Sequence, residues 1–489
     1  MTTMKSIPED LKTLNQKPPF LEKESKRINL FNKFPLLKRI VKTRAFQFSL
    51  ILPNLFVFYI IILAGFIGTP VGNRNIAIVF IWILWWFLLI AIIVPFASRF
   101  WCTVCPLPFF GDLFQRMAFI KVRTGKTGFL KNKLYGLNKK WSPKLSNIWL
   151  QNIGFLTLCT FSAVLVTRPF VTSAVLFALL VMGTLFAIIW KLRAFCSYIC
   201  PVSGFLSIYS MTSTLELRSS DKSVCKQCKE KGCIRGNENG WGCPWFENMG
   251  TMERNNYCGL CMECVKSCPH DNISLNLRPF ATETKIKGID ESFKGFIMIA
   301  LAMAYSVILM GTNGTIKDWA NAPETGYWGG FFLYAAILWG SALVVVPGLF
   351  YGFAYLSKRF SKVTTVSVKD IFKAYSYILV PLGLLAWIAF SFPLVFVNGS
   401  YIISVISDPF GWGWNLFGTT DIRWQPLIPE YLCYVQYILL MVGLGYAIDR
   451  GYAIGLNLFK SEKAALNGLI PMAVFATLVT LAFMIFFIG

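Results

Sequence analysis

The 489-residue chain has a single histidine, His270, and that scarcity removes a class of cofactor. A haem held by two histidines inside a helical bundle needs ligands this sequence lacks. No Cys-x-x-Cys-His run occurs, so covalently attached c-type haem is excluded as well. Charge is also scarce: 15% of residues are charged, against 55% hydrophobic and 16% aromatic, with a mean hydropathy of +0.56. These are the proportions of a multi-span membrane protein and not of a water-soluble enzyme. Acid is scarcer still, 24 Asp and Glu against 47 Lys and Arg, a net charge of +23. Such an excess can mark nucleic-acid binding, but in a membrane protein it records the orientation of loops. Fourteen cysteines are too few for a disulfide scaffold of this length, yet ten fall between Cys196 and Cys268, a clustering that points to metal.

Apolar runs on the order of 20 residues, the length of a bilayer crossing, occur at 46–67, 76–97, 148–167, 171–190, 293–311, 328–356, 374–397, 431–448 and 467–488. The segment before Phe46 has eleven basic residues against four acidic, and the 98–147 loop has ten against one, so both are expected on the cytoplasmic side. With that orientation the outer loops hold only Arg74, Arg168, Lys317 and Arg423, and the other 43 basic residues lie inside. The charge is thereby explained without nucleic acid, and the basic loops are expected against anionic lipid headgroups. The arm is not expected to be a cleavable signal, since a largely polar stretch of some 45 residues precedes the first apolar run. Composition divides the chain into a basic cytoplasmic arm, 1–45, a four-span unit, 46–212, a polar cysteine-rich domain, 213–290, and a five-span unit, 291–489. An even number of crossings precedes 213–290, which puts it in the cytoplasm, and an odd number follows it, which puts the C-terminus outside.

The strongest motif is Cys258-Gly-Leu-Cys261-Met-Glu-Cys264-Val-Lys-Ser-Cys268-Pro269, the Cys-x2-Cys-x2-Cys-x3-Cys-Pro run of bacterial ferredoxins. Upstream, Cys225-x2-Cys228-x4-Cys233-x9-Cys243-Pro244 is a stretched version of it. In a two-cluster domain each fourth cysteine serves the other cluster. Cys225, Cys228, Cys233 and Cys268 are therefore expected to hold one [4Fe–4S] cluster, and Cys258, Cys261, Cys264 and Cys243 the second. A zinc site on the upstream set is the alternative. The expected fold is an α-helical polytopic membrane protein of about nine transmembrane helices, with an inserted two-cluster, ferredoxin-like α+β domain in the cytoplasm.

A repeat marks the first membrane unit. Arg99-Phe-Trp-Cys102-Thr-Val-Cys105-Pro106 closes the second apolar run, and Arg193-Ala-Phe-Cys196-Ser-Tyr-Ile-Cys200-Pro201 closes the fourth. Each sets an arginine three residues before a cysteine pair, then proline, then an amphipathic stretch, Phe109 to Phe119 or Phe205 to Met211. Cys102, Cys105, Cys196 and Cys200 can bind a third cluster, form a redox-active dithiol site, or serve as small buried hydrophobes. Cys159 and Cys433 stand alone within spans and are read as structural. His270 is read as a surface residue beside a cluster, and Lys226, Lys229 and Lys266 as exposed lysines suited to docking or to solvation. The outer loop 398–430 carries Asp408-Pro-Phe-Gly-Trp-Gly-Trp, which reads as a reentrant cap, a docking face or an aromatic belt. Asp112 near the inner face, and Asp318, Asp408 and Glu430 near the outer, are candidate proton-exchanging groups.

Across residues 46–285 the helix-end Cys-Pro motifs followed by the cysteine-rich domain resemble the NapH/NosR-type membrane polyferredoxins. The matching positions are Cys196 and Cys200, Cys258, Cys261, Cys264 and Cys268, and more loosely Cys225, Cys228, Cys233 and Cys243. Cys102-x2-Cys105 is one residue shorter than the family's Cys-x3-Cys-Pro. The resemblance implies an iron–sulfur electron-transfer protein in the inner membrane of a prokaryote, an electron-transferring subunit linked to quinone or quinol and to a respiratory redox partner. The periplasmic flavin domain of NosR-type chains has no counterpart here, so flavin is not expected. Two other functions fit the same residues: a metal-reducing or assembly factor for a respiratory metalloenzyme, and a redox-sensing or structural anchor subunit.

Overall fold

In the lipid core a chain must satisfy its backbone polar groups internally, so apolar runs of this length become helices. The computed structural model describes residues 27–117, 135–309 and 314–488. Most of the basic arm, part of the 98–147 loop and the last residues of the stretch expected to run to Phe119 lie outside them. A two-residue strand β1 (Ile28–Asn29) and helix α1 (Pro35–Lys42) lead into α2 (Phe46–Ile67) and α3 (Ile76–Ala97). The turn between these two is pinned by buried Asn75, whose side chain accepts from the Ala77 amide and donates to the Ala64 and Thr69 carbonyls. Within α3, Val79–Trp85 and Leu88–Ile93 wind as wider π turns.

Helix α4 (Phe109–Arg116) follows the first cysteine pair. The third expected crossing, 148–167, is not one helix: it is α5 (Trp149–Thr160) and α6 (Ser162–Thr167), broken at Phe161. The Thr160 hydroxyl bonds back to the Leu156 carbonyl at 2.8 Å, a contact that bends helices. The Trp339 indole, reaching in from another helix, fixes that hydroxyl at 3.0 Å. Helix α7 (Pro169–Ile189) returns, and α8 (Pro201–Tyr209) follows the second cysteine pair.

The segment 213–290 contributes strands β2 (Leu215–Ser219) and β3 (Ile273–Leu277), paired antiparallel with Leu215 opposite Leu277 and Ser219 opposite Ile273. The third strand of the sheet is β1 from the arm, giving the order β1-β3-β2. The arm is thus part of this domain: Phe31 and Val41 share a core with Leu217, Leu275, Cys258 and Cys264. Lys38 and Lys42 pair with Asp271 at 2.6 and 2.7 Å.

The second membrane unit is α9 (Ile289–Leu309), α10 (Trp328–Ser361), α11 (Val368–Asn398), α12 (Leu432–Phe459) and α13 (Glu462–Ile488). Among the described residues eight helices are long and apolar enough to cross a membrane, and the chain is a polytopic helical protein. Because β1 pairs with β3, the arm and the cysteine-rich domain lie at one end of the bundle. Three of those spans lie between them in the chain, with α5 packed on α8 and α9 and α6 on α7. At the far end the loop after α2 meets the 408–410 segment, where the Thr69 amide donates to the Phe410 carbonyl at 2.7 Å. The two membrane units share one core centred on fully buried Trp387 of α11, which packs against Trp86, Phe205 and Tyr305.

Candidate functional site

Twelve of the fourteen cysteines gather at the domain end of the bundle in three sets. The upstream set starts on a short helix, Lys222–Gln227, whose first turn is capped by the Asp221 carboxylate at the Ser223 amide. Cys225, Cys228, Cys233 and Cys268 line one small cavity together with His270 and Asn272. Sulfur there is met by N–H donors: the Lys231 amide on Cys228 at 3.4 Å, the Asn272 amide on Cys268 at 3.3 Å, and the Asn272 side chain on Cys225 at 3.4 Å. Gly232 lets the two segments close, since a Cβ there would stand 2.2 Å from the Ser267 carbonyl oxygen.

The downstream set turns through two left-handed residues, Leu260 and Met262, which bring Cys258, Cys261 and Cys264 round a tight corner. Cys243 joins them. Burial pushes the Cys243 thiol well above its ordinary range, and the other groups that push it up are Cys261 and Cys258. Burial likewise carries Cys258 up to about 12, against the pull of the Leu260 amide. Cys264 feels Cys261, Cys258 and Cys243, and beyond them Cys233 of the upstream set.

The helix-end cysteines form the third set. Burial raises Cys196 first, then Cys200, Cys105 and Cys102 by proximity, so the two halves of the repeat do converge. Burial carries Cys200 up to about 11, opposed by the Ser203 and Val202 amides at the start of α8. The Leu107 amide plays the same part at Cys105. All four line an apolar cavity of about 340 Å³ that is also lined by Trp82, Trp85, Trp101, Phe155 and Tyr305. Cys159 lines it too.

This third set is docked onto the downstream set. The Thr103 hydroxyl donates to the Gly259 carbonyl, and Arg99 donates to the Asn256 carbonyl at 2.5 Å. Arg193 donates to the Cys102 carbonyl at 2.7 Å and pairs with Asp112 at 2.6 Å. Both guanidiniums lie over the Trp245 ring, at 4.7 and 5.7 Å. Burial works upward on Asp112, but Arg193 and Arg116 outweigh it and hold the carboxylate below its ordinary range. Asp112 is thus an ion-pair partner and not a free proton carrier. Among the described residues no three or more His, Cys, Asp or Glu side chains are drawn together tightly enough to hold a single metal ion. The upstream cysteines instead surround a space.

Other expected residues lie elsewhere. Lys226 and Lys229 are exposed, but Lys266 is buried and paired with Glu263 at 2.7 Å, because the helix that carries it packs under the arm. His270 is exposed, as are Asp318 and Glu430 at the far end. Asp408 is buried and accepts from the Trp412 and Gly413 amides, which shapes the aromatic loop. Cys433 stands apart, half-buried at the start of α12. Two groups escaped the motif reading. Trp245 stands only two residues beyond Cys243, and Lys294 is fully buried in α9. A lone lysine two residues into an expected span was the signal for the second.

No protein-family profile matches the chain, and no solved structure is significantly similar to it. An uncharacterized protein of Methanocaldococcus jannaschii is 27% identical over 266 residues, 53% of this chain and 93% of the relative. A second uncharacterized protein of that organism is 26% identical over 263 residues, 50% of this chain and 97% of the relative. Neither brings an activity with it.

Proposed function

We propose that the chain is a membrane-bound iron–sulfur protein that relays single electrons between a membrane carrier and a redox partner at the domain end of the bundle. The carrying observation is the interleaving of the two motifs: Cys268, last in the downstream run, lies with the upstream cysteines, and Cys243, last in the upstream run, lies with the downstream ones. A two-cluster domain has that exchange. The N–H donors aimed at sulfur suit thiolates, which carry charge, better than neutral thiols. The NapH/NosR-type order of motifs supports the same reading. Bound there, a [4Fe–4S] cluster supplies one-electron redox chemistry; the chain's residues hold it, exclude water and set its potential.

The apolar cavity beside the helix-end cysteines favours a lipid-soluble carrier of the quinone type, because its lining is apolar and rich in aromatic side chains from the membrane helices. The positive loops at the domain end support a cytoplasmic position for that end in a prokaryotic inner membrane, with the C-terminus outside. The test is iron and acid-labile sulfide per chain after anaerobic purification, with electron paramagnetic resonance on stepwise reduction. Cys268→Ser should remove the upstream signal and Cys243→Ser the downstream one. Signals lost in the opposite pairing break the interleaving, and a protein without iron ends the proposal. Clusters that a soluble donor reduces and a reduced quinone does not would remove quinone from it.

A further inference from the structure

Positive charge collects around the helix-end cysteines, and the protein does not balance it. Arg193 is neutralised by Asp112. Arg99 is not: it is 1% exposed, its guanidinium donates to the Asn256 carbonyl and the Ser203 hydroxyl, and its Nε has no partner. Lys294 is 0% exposed and its ammonium makes no hydrogen bond. It lies 4.7 Å from the Phe155 ring centre, and a Cβ on Gly204 in the first turn of α8 would be 3.2 Å from its Nζ. Among the described residues neither cation makes an ion pair. Near Lys294, Glu291 holds Arg254 at 2.8 Å and Asp290 accepts from the Ile148 amide; toward Arg99 the Glu247 carboxylate acts at a distance without an ion pair, its field shared with Lys287, Arg254 and Arg218. The groups able to carry negative charge toward Lys294 are Cys159 and Cys200.

Removing a charge from water without a partner costs several kcal/mol; the Arg99 guanidinium cannot escape that cost by losing its proton, whereas Lys294 stays an ammonium where negative charge faces it. The start of α8 adds further positive potential at the same point. Neutral packed thiols, or thiols joined as disulfides, carry no charge and leave both cations unmatched. Four thiolates around iron and sulfide carry net negative charge, and two unmatched cations suit it.

We propose that Cys102, Cys105, Cys196 and Cys200 hold a third, anionic iron–sulfur cluster, with Lys294 and Arg99 as its counter-charges. This rests on the electron-transfer reading above and names that path's membrane end. The site adjoins the downstream set through Arg193 and Thr103, and adjoins the cavity on its other side. Lys294 is a positioning residue here: it acts through the field it exerts.

The full chain, purified anaerobically in lipid nanodiscs, tests this. Two four-iron clusters account for about 8 iron atoms, so a third raises the count to about 12, or about 10 if it is a two-iron cluster. Cys196→Ser should lose only the excess. Lys294→Met should keep all the iron and make one signal harder to reduce, by about tenfold in the oxidised-to-reduced ratio at fixed potential, which is about 59 mV for a one-electron couple. Lys294→Arg should restore it. A wild-type count of about 8 overturns the third cluster and leaves the two-cluster reading standing, whereas a count near zero overturns both. Unchanged potentials for every signal in Lys294→Met overturn the counter-charge role. Should Cys196→Ser fail to fold, the wild-type count and the Lys294 variants still decide.

Discussion

Arg99 and Arg193 occupy the same place in the two halves of the repeat, each three residues before a cysteine pair, and the structure treats them differently. Both are buried and both lie over Trp245. Only Arg193 has a carboxylate, supplied by Asp112 of α4 in the other half. A sequence repeat can therefore preserve a frame while its charges are settled by whichever neighbour the fold brings in. The shorter Cys102-x2-Cys105 spacing belongs to the half whose arginine is left unmatched.

The comparison can be broken most forcefully at Asp112. Asp112→Asn makes the Arg193 half resemble the Arg99 half, and stranding a buried guanidinium should cost about 3 kcal/mol, read from melting in detergent. The acid side of the stability profile should change with it. A carboxylate held below its ordinary value contributes fully above its unfolded pKa of 3.8 and loses that contribution as pH falls through the folded value. The wild-type advantage over Asp112→Asn should thus be flat near neutrality and shrink below about pH 4. Gly259→Ala acts on both halves at once, because a Cβ there would meet the Trp245 indole nitrogen at 2.4 Å. A loss of about 2 kcal/mol, with altered tryptophan fluorescence, is expected. Arg99→Met sharpens the contrast: in iron-free protein it removes an unmatched charge and should cost under about 1 kcal/mol, far less than Arg193→Met. Asp271→Asn, outside both halves, should release Lys38 and Lys42 for about 0.5 kcal/mol, seen as faster amide exchange in the arm.

Much of this architecture can be read without coordinates, because length and hydropathy are local properties. The runs at 46–67 and 76–97 become helices with those bounds. The break at Phe161 could not be read, since it depends on Trp339, which is distant in sequence and holds the Thr160 hydroxyl. The cysteine sets follow from spacing, and the structure gathers those same residues. Trp245 carried no sequence signal of its importance, because a tryptophan near a cysteine becomes a shared platform only when two arginines arrive from turns far apart in the chain. Lys294 was legible as an anomaly, but its unmatched charge emerged only once its surroundings were known. The arm's strand was invisible for the opposite reason: two residues, Ile28 and Asn29, show no alternation, and their partners lie at Leu277 and Asn276.

That strand bears on how the molecule is made. The sheet order β1-β3-β2 places the last-synthesised strand in the middle. A ribosome delivers one edge, then the first membrane unit, then the other edge, and only afterwards the centre that joins them. Contacts so far apart along the chain form late and slowly. Until Leu277 emerges, the arm has nothing to pair with, and the thiols of Cys258 and Cys264 lack part of the apolar cover that Phe31 and Val41 later provide. The cysteines are thus synthesised before the sheet that covers them can close.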